Sequence, residues 1–188
     1  MNHILLNVKE DLKGDIKKIE ETLEVFIAED TIFEKVLNSE YSVKDYEENP
    51  SIALLILGFP EVSFNKRGVS LLEKFKGNIE KDKKALVQEI TGFYTERLWE
   101  IKVDYDLLSE DFKENFSYWK NNTDWWSDYI QFKTNKDFIK YAVESKDYKS
   151  RVATVRFLIN QVYMPKLVKF KNTGLVLIKK IEAFEDKA

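Results

Sequence analysis

The fold is decided by the stretch DKKALVQEITGFYTERLWEIKVDY, residues 82–105. Its apolar side chains recur at intervals of three and four positions: Leu86, Ile90, Phe93, Tyr94, Leu98, Ile101 and Tyr105. This spacing places them along one side of an α-helix, with lysine, glutamine, glutamate and arginine on the other side. A stripe this long and aromatic needs several further helices to cover it, so the pattern predicts a helical protein.

The same periodicity predicts helices on both sides of this stretch. Residues 4–29 form the first long helix, and a short helix follows at 32–37. Further short helices are expected at 51–58, 68–76, 109–119, 125–133 and 134–145, with the polar run 121–124 as a break. The next helix begins near Val152, and the apolar pattern continues from Leu167 to the C-terminus. Pro165 removes a backbone donor between these two segments, so we expect a kink or break there.

Composition supports helices over strands. The 188 residues include only six glycines and three prolines, so the chain is poor in turn formers. Lysine and glutamate dominate the polar residues, and both favour helix. We see no repeat, low-complexity tract or linker. The sequence therefore predicts an all-α, irregular helical bundle, with three or four long helices and several short connecting helices, in a single domain spanning 1–188.

Several classes of chemistry lack the residues they need. The chain has no cysteine, and its one histidine is His3 near the N-terminus. Disulfides, thiol nucleophiles, His-ligated zinc and charge-relay hydrolysis are therefore close to excluded. Carboxylates do recur on single helix faces, as Asp11 and Asp15 and as Glu96, Glu100 and Asp104. Such a row could serve a metal-dependent hydrolase, but without histidine and with lysine and arginine interleaved a solvated helix face is the better explanation. We predict no cofactor, no metal and no enzyme activity.

No apolar run reaches the roughly 20 residues that a membrane-spanning helix requires. The longest is IALLILGF, residues 52–59, which reads as a buried core helix. The N-terminal residues lack the basic start and cleavage site of a signal peptide. We therefore expect a soluble domain.

Charge is distributed unevenly along the chain. Residues 1–50 contain six lysines and 13 acids, and residues 133–180 contain 12 basic residues and three acids. A basic surface for nucleic acid or an anionic membrane is one interpretation. It would be formed by Lys133, Lys136, Lys140, Lys146, Lys149, Arg151 and Arg156. The alternative is that the acidic and basic helices offset each other within the fold. The net charge of −3 argues against a dedicated nucleic-acid binder.

Aromatic residues are concentrated between positions 116 and 132. The cluster consists of Phe116, Tyr118, Trp119, Trp125, Trp126, Tyr129 and Phe132. Such a cluster can form a stacking platform for a ligand or partner, or it can fill the core between short helices. The polar break at 121–124 predicts that at least one of Trp125 and Trp126 is partly exposed. We select as possible partner-binding residues Trp119, Trp125, Trp126, Tyr129, Lys136, Lys140 and Lys149.

Two stretches resemble a family of uncharacterised bacterial proteins with one N-terminal membrane span and a helical soluble part. The first is LNVKEDLKGDIKKIEE, residues 6–21, which resembles the helix after the span. The second is residues 68–95, where Gly68 and Leu72 and the apolar residues of 86–95 match the family pattern. Together they cover under half of the chain. The chain departs from the pattern at residues 74–77, where small residues are usual, and it lacks the span.

The resemblance implies a soluble domain held outside the cytoplasmic membrane, with Met1 in place of a removed anchor; without it, we expect a cytoplasmic protein. The resemblance implies no activity. Our leading hypothesis is a non-enzymatic binding, scaffolding or sensor-type domain that belongs to a membrane-anchored protein and whose partner is a protein or small ligand. In this hypothesis the membrane is reached only through the missing anchor. The alternative is a cytoplasmic nucleic-acid-associated protein that uses the basic region 133–156.

Overall fold

The computed structural model of the protein describes residues 1–49, 52, 55–56 and 58–185, and these form helices and no strand. The helices are α1 (Asn2–Leu37), α2 (Val43–Glu48), α3 (Arg67–Lys74), α4 (Lys81–Asn122), α5 (Trp126–Tyr129), α6 (Lys136–Glu144), α7 (Lys146–Phe157), a π-helix (Leu158–Tyr163) and α8 (Met164–Glu185). Three are long, with 36 residues in α1, 42 in α4 and 22 in α8. The predicted all-α fold of long and short helices is confirmed for this part of the chain.

Helix α1 is longer than predicted. It runs through Glu29, Asp30 and Thr31, where the sequence suggested a boundary, and it absorbs the short helix expected at 32–37. This run contains no glycine or proline, and Asp30 does not act as a cap. The Asp30 carboxylate instead accepts two hydrogen bonds from Arg156 of α7, at 2.6 and 3.0 Å. A long-range partner therefore keeps this polar residue inside the helix.

Helix α4 is also continuous where two helices were predicted. Ser109 and Asp111 do not start a new helix, because the core-facing stripe extends past them through the buried Leu108, Phe112 and Trp119. The helix ends at Asn122, as the polar run 121–124 predicted. Ser109 and Asp111 were predicted to start a helix because both are polar, but in the structure they are partly buried within one unbroken helix.

The C-terminal helices follow one another closely. Asn135, not Thr134, caps α6: its side chain accepts hydrogen bonds from the backbone N–H groups of Asp137 and Phe138. The kink predicted at Pro165 takes the form of a π-helix that ends two residues before the proline. Proline has no N–H to donate to the preceding turn, and a short π-helical turn is a known local distortion within an α-helix. The chain therefore stays helical from Lys146 to Glu185.

Contacts divide the chain into two compact units, which we describe separately. Unit 1 contains Met1–Leu23, Glu61–Val103 and Met164–Ala188. Its core joins the first part of α1, α3, the first part of α4, and α8. Phe170 of α8 lies at its centre, with ring centroids 4.7 Å from Phe93 and 4.8 Å from Phe64. The part of the predicted stripe from Leu86 to Ile101 thus packs within this unit, whereas Tyr105 belongs to unit 2.

Unit 2 contains Glu24–Pro60 and Asp104–Tyr163. Its core is rich in aromatic residues, and the largest fully buried side chains include Trp119, Tyr148, Tyr163, Phe26 and Phe33. Part of the helix predicted at 51–58 lies outside the described residues. Of the described ones, Ile52, Leu55 and Ile56 are buried as predicted, but 55–56 form a turn. The prediction of one domain over 1–188 stays a prediction.

Candidate functional site

Three of the four aromatic residues predicted to bind a partner lie in the core of unit 2. Trp119, Trp125 and Tyr129 are buried, and Trp126 is partly exposed. Phe138 of α6 packs on two of them, with its ring centroid 5.0 Å from Trp125 and 4.5 Å from Tyr129. These rings hold α5 and α6 against the end of α4. These buried rings belong to the core that supports the protein surface, and they do not themselves form a binding surface.

A chain of hydrogen bonds closes one side of this aromatic core. Trp119 Nε1 donates to the Tyr141 hydroxyl at 3.1 Å, and that hydroxyl donates to the carboxylate of Asp147. Burial, together with the bond to Asp147, raises the pKa of Tyr141 to about 12. The phenol therefore stays protonated and acts as a fixed donor. This arrangement orders the core and offers no group poised for proton transfer near neutral pH.

The arginines of the basic region have structural roles. Arg151 donates to Asp147 at 3.0 Å and to Asn115 at 2.6 Å, and its guanidinium lies 4.0 Å from the centroid of the Tyr118 ring. It thereby ties α7 to α4. Arg156 forms the paired hydrogen bonds with Asp30 described above, and the bond from Arg156 lowers the pKa of that carboxyl. Arg151 and Arg156, two members of the basic surface predicted over 133–156, are therefore hydrogen-bonded to other residues of unit 2.

The predicted lysines divide into two groups. Lys149 is half-buried and donates to the Ser39 hydroxyl. Lys136 and Lys140 are exposed on α6, and Lys133 is exposed just before it. Within the described residues no ion pair engages Lys133, Lys136 or Lys140. The same holds for Lys146, which is exposed at the start of α7.

The turn between α5 and α6 presents apolar side chains beside these lysines. Phe132 is 72% exposed and Ile130 is 47% exposed. Phe132 has a φ of 56°, in the left-handed region that glycine normally occupies. Its N–H donates to the Tyr129 carbonyl at 3.0 Å, and the N–H of Lys133 donates to the Asp128 carbonyl at 3.0 Å. These two bonds form a Schellman motif, with Phe132 at the position usually filled by glycine.

We call Ile130, Phe132, Lys133, Lys136 and Lys140 the Phe132 surface. The sequence placed Phe132 in the aromatic cluster but did not distinguish it from the core residues. The position of Phe132 is also fixed by the start of α6. The Asn135 side chain donates to Asp128 at 2.8 Å and so ties α6 to α5. The surface is therefore a turn held on a packed aromatic base.

Two of the three α4 carboxylates that the sequence singled out are engaged in ion pairs. Glu96 and Glu100 both accept hydrogen bonds from Arg97, and Glu100 also pairs with Lys169 at 3.3 Å. Desolvation acts to raise the pKa of Glu100, but the bonds from Arg97 and Lys169 outweigh it and leave the pKa below its ordinary value. Among the described residues, no three acidic or histidine side chains are grouped to hold a metal ion.

Asp11 and Asp15 fix a loop of unit 1. Asp15 is fully buried and accepts from the backbone N–H of Asn65 at 2.9 Å and from its side-chain amide at 2.9 Å. Asp11 accepts from the N–H of Gly68 at 2.6 Å. Burial raises the pKa of Asp15 to about 6, although the bonds from Asn65 oppose this shift. The two acids hold the segment before α3 against α1, which is a structural role.

Two shallow cavities open on unit 1, with volumes of ≈ 240 and ≈ 270 Å³. The first lies between α3 and α4 and contains both Lys66 and Glu73, and the second lies between α4 and α8 beside the Glu89–Lys180 ion pair. Typical ligand pockets have volumes of roughly 300–1,000 Å³. Both are therefore small for an organic ligand.

Comparison with protein-family models, curated proteins and solved structures finds no match to this chain. In the part of the chain that the structure describes, none of the helices is both long enough and apolar enough to cross a bilayer.

Proposed function

We propose that this chain is a non-enzymatic helical domain that binds or scaffolds a partner through the Phe132 surface. One observation carries the proposal: Phe132 occupies a backbone position that disfavours it, and its ring is left in solvent. A non-glycine residue in the left-handed region costs roughly 1–2 kcal/mol. Burial of the ring does not offset this cost, because 72% of the residue is exposed. Such a residue lowers stability, and a binding role gives a reason for it.

The surroundings support a negatively charged partner. Lys133, Lys136 and Lys140 are exposed, and no described residue pairs with them. Helical geometry places Lys136 and Lys140 on the exposed side of α6 together with Asp137 and Glu144. No ion pair joins these two acids to the lysines in the described part of the chain. In this proposal the domain is a sensing or scaffolding part of a membrane-anchored protein; the family resemblance supports the anchor and assigns no activity.

The nucleic-acid alternative shares part of this surface. An exposed aromatic ring beside unpaired lysines could stack on a base of single-stranded nucleic acid. Against it, Arg151 and Arg156 are bonded within unit 2, and the whole chain carries a net charge of −3. We therefore place this alternative second.

Site-specific photo-crosslinking tests the proposal. A benzophenone amino acid would replace Phe132 in one variant and Phe157 in another. Phe157 is a matched control, because it is 58% exposed in the same unit but lies in an ordinary helix. In the cells that make the protein, we expect a discrete adduct from position 132 and none from position 157. The adduct should decrease when K136A and K140A are added. Equal labelling at both positions, or no adduct at 132, would overturn the proposal.

A further inference from the structure

We infer that the partner of the Phe132 surface is the anionic headgroup layer of a lipid bilayer, which Phe132 and Ile130 enter while the lysines contact lipid phosphates. This inference rests on the proposed function and specifies the class of partner. It differs from attachment through an N-terminal anchor, because it assigns a membrane contact to the folded domain itself.

The small apolar area of this surface favours a bilayer over a protein. With 72% of Phe132 and 47% of Ile130 exposed, the two residues offer roughly 200 Å² of apolar surface, since a whole aromatic side chain contributes about 150–250 Å². A stable protein interface removes about 800 Å² from each partner and has an apolar centre. A bilayer interface accepts a single ring without a complementary pocket.

The backbone of the turn also suits insertion. Phe132 and Lys133 donate their N–H groups to carbonyls of α5, and Asn135 ties α6 to Asp128. The N–H groups of 132 and 133 are therefore already satisfied where water would be displaced at a headgroup layer. The turn needs no refolding to present the ring, because Phe132 is held outward in the structure.

The charges supply the attraction. Lys133 directly follows the ring, Lys136 begins α6, and Lys140 lies one helical turn further on the same flank. Each lysine near an anionic membrane strengthens binding about fivefold at physiological salt. The acids closest in sequence are Asp128, which is bonded to Asn135, and Asp137 and Glu144, which lie on the same exposed side of α6 as Lys136 and Lys140. They reduce the net positive charge, but among the described residues they form no ion pair with the three lysines.

Vesicle co-sedimentation of the full chain tests the inference. The probes are vesicles of phosphatidylcholine alone and of equal parts phosphatidylcholine and phosphatidylglycerol. We expect binding only to the anionic vesicles. F132G should weaken it at least about tenfold, and K136A/K140A about 25-fold. The matched controls F157A and K113A/K120A, at exposed positions of unit 2, should leave it unchanged.

Insertion gives an independent signal. In F132W, anionic vesicles should shift the tryptophan emission to shorter wavelength, and in F157W they should not.

Absence of binding, binding to both vesicle types, or equal losses in the control variants would overturn the inference. Stronger binding to a single-stranded oligonucleotide or to polyglutamate than to vesicles would also overturn it, in favour of a nucleic-acid or acidic protein partner. If vesicle binding fails while the crosslink from position 132 persists on a protein, only the lipid assignment fails. Loss of both signals removes the proposed function as well.

Discussion

At the scale of single residues, our proposal assigns Phe132 a role in binding and none in stabilising the fold. Its φ of 56° suits glycine, and its ring makes few contacts because it is 72% exposed. The substitution F132G relieves the strain and removes little packing. We therefore expect it to raise the free energy of unfolding by about 1 kcal/mol, measured by urea denaturation.

Phe157 provides the control for this prediction. F157A removes a similarly exposed ring from an ordinary helical position, so its stability should change by less than about 0.5 kcal/mol. If F132G instead destabilises the protein, the ring contributes to folding, and the reason for assigning it a binding role is lost.

Asp15 makes stability depend on pH. Burial raises its pKa to about 6, whereas an unfolded aspartate has an ordinary value near 3.9. Between these values the folded state holds a proton that the unfolded state releases. The free energy of unfolding therefore falls as pH rises from about 4 to 6, by up to about 3 kcal/mol from this group.

The variant D15N isolates this contribution. Its side chain keeps an oxygen to accept from Asn65 but cannot ionise. The free energy of unfolding of the native chain minus that of D15N should therefore fall by up to about 3 kcal/mol between pH 4 and pH 7, as measured by denaturant unfolding across that range. E24Q, which changes an exposed acid on the same helix, should follow the native curve. A D15N curve parallel to the native one would contradict the assignment.

At the scale of elements, helix α3 lies against α1 at a glycine. A Cβ added to Gly68 would lie 2.5 Å from the backbone N and 2.6 Å from the Cα of Val8. A backbone cannot yield as a flexible side chain can. We therefore expect G68A to lower the free energy of unfolding by about 3 kcal/mol. It should also weaken the hydrogen bond from Gly68 to Asp11.

At Gly92, in contrast to Gly68, we expect an added side chain to stabilise the protein. Gly92 lies in the interior of α4, and a Cβ added there meets nothing within 4 Å. Alanine favours helix over glycine, so G92A should raise the free energy of unfolding by about 1 kcal/mol. Thermal unfolding followed by circular dichroism would measure both variants. Equal effects at the two positions would mean that the close approach at Gly68 is absent.

The sequence predicts the helices better than their boundaries. The periods of three and four at Leu86–Ile101 and Leu5–Phe26 predicted the two longest helices, because most of each stripe is buried as its spacing requires. The ends of the helices depend on distant contacts. Asp30 stays within α1 because Arg156, 126 positions later, bonds to it, and no local pattern contains that information.

The same limit applies to the candidate surface. Aromatic density selected Trp119 and Trp125, which the structure buries, together with Phe132, which it exposes. Exposure here follows from the Schellman turn after α5, and a phenylalanine at a position that favours glycine gives no local sign of that turn. The lysines were easier to find, because Lys136 and Lys140 recur at helical spacing. Their freedom from ion pairs became evident only in the fold.

At the scale of the whole molecule, the two units are interleaved along the chain. Unit 1 takes residues from the start, the middle and the end of the chain, and the chain passes between the units within α1 and α4. A continuous helix cannot unfold in one unit without exposing backbone groups at the start of the other. We therefore expect one cooperative unfolding transition, as the prediction of a single domain requires.

Two spectroscopic signals can test this cooperativity in one variant. Trp99 lies in unit 1, whereas Trp119, Trp125 and Trp126 lie in unit 2, so in W99F the tryptophan fluorescence reports only unit 2. Far-ultraviolet circular dichroism reports helices of both units. Because two-state unfolding gives coincident curves with different probes, we expect the same denaturant midpoint by both methods.

W99F removes an exposed side chain, so its dichroism curve should match that of the native chain. A fluorescence midpoint separated from the dichroism midpoint would show that unit 2 unfolds independently, and the chain would then contain two domains.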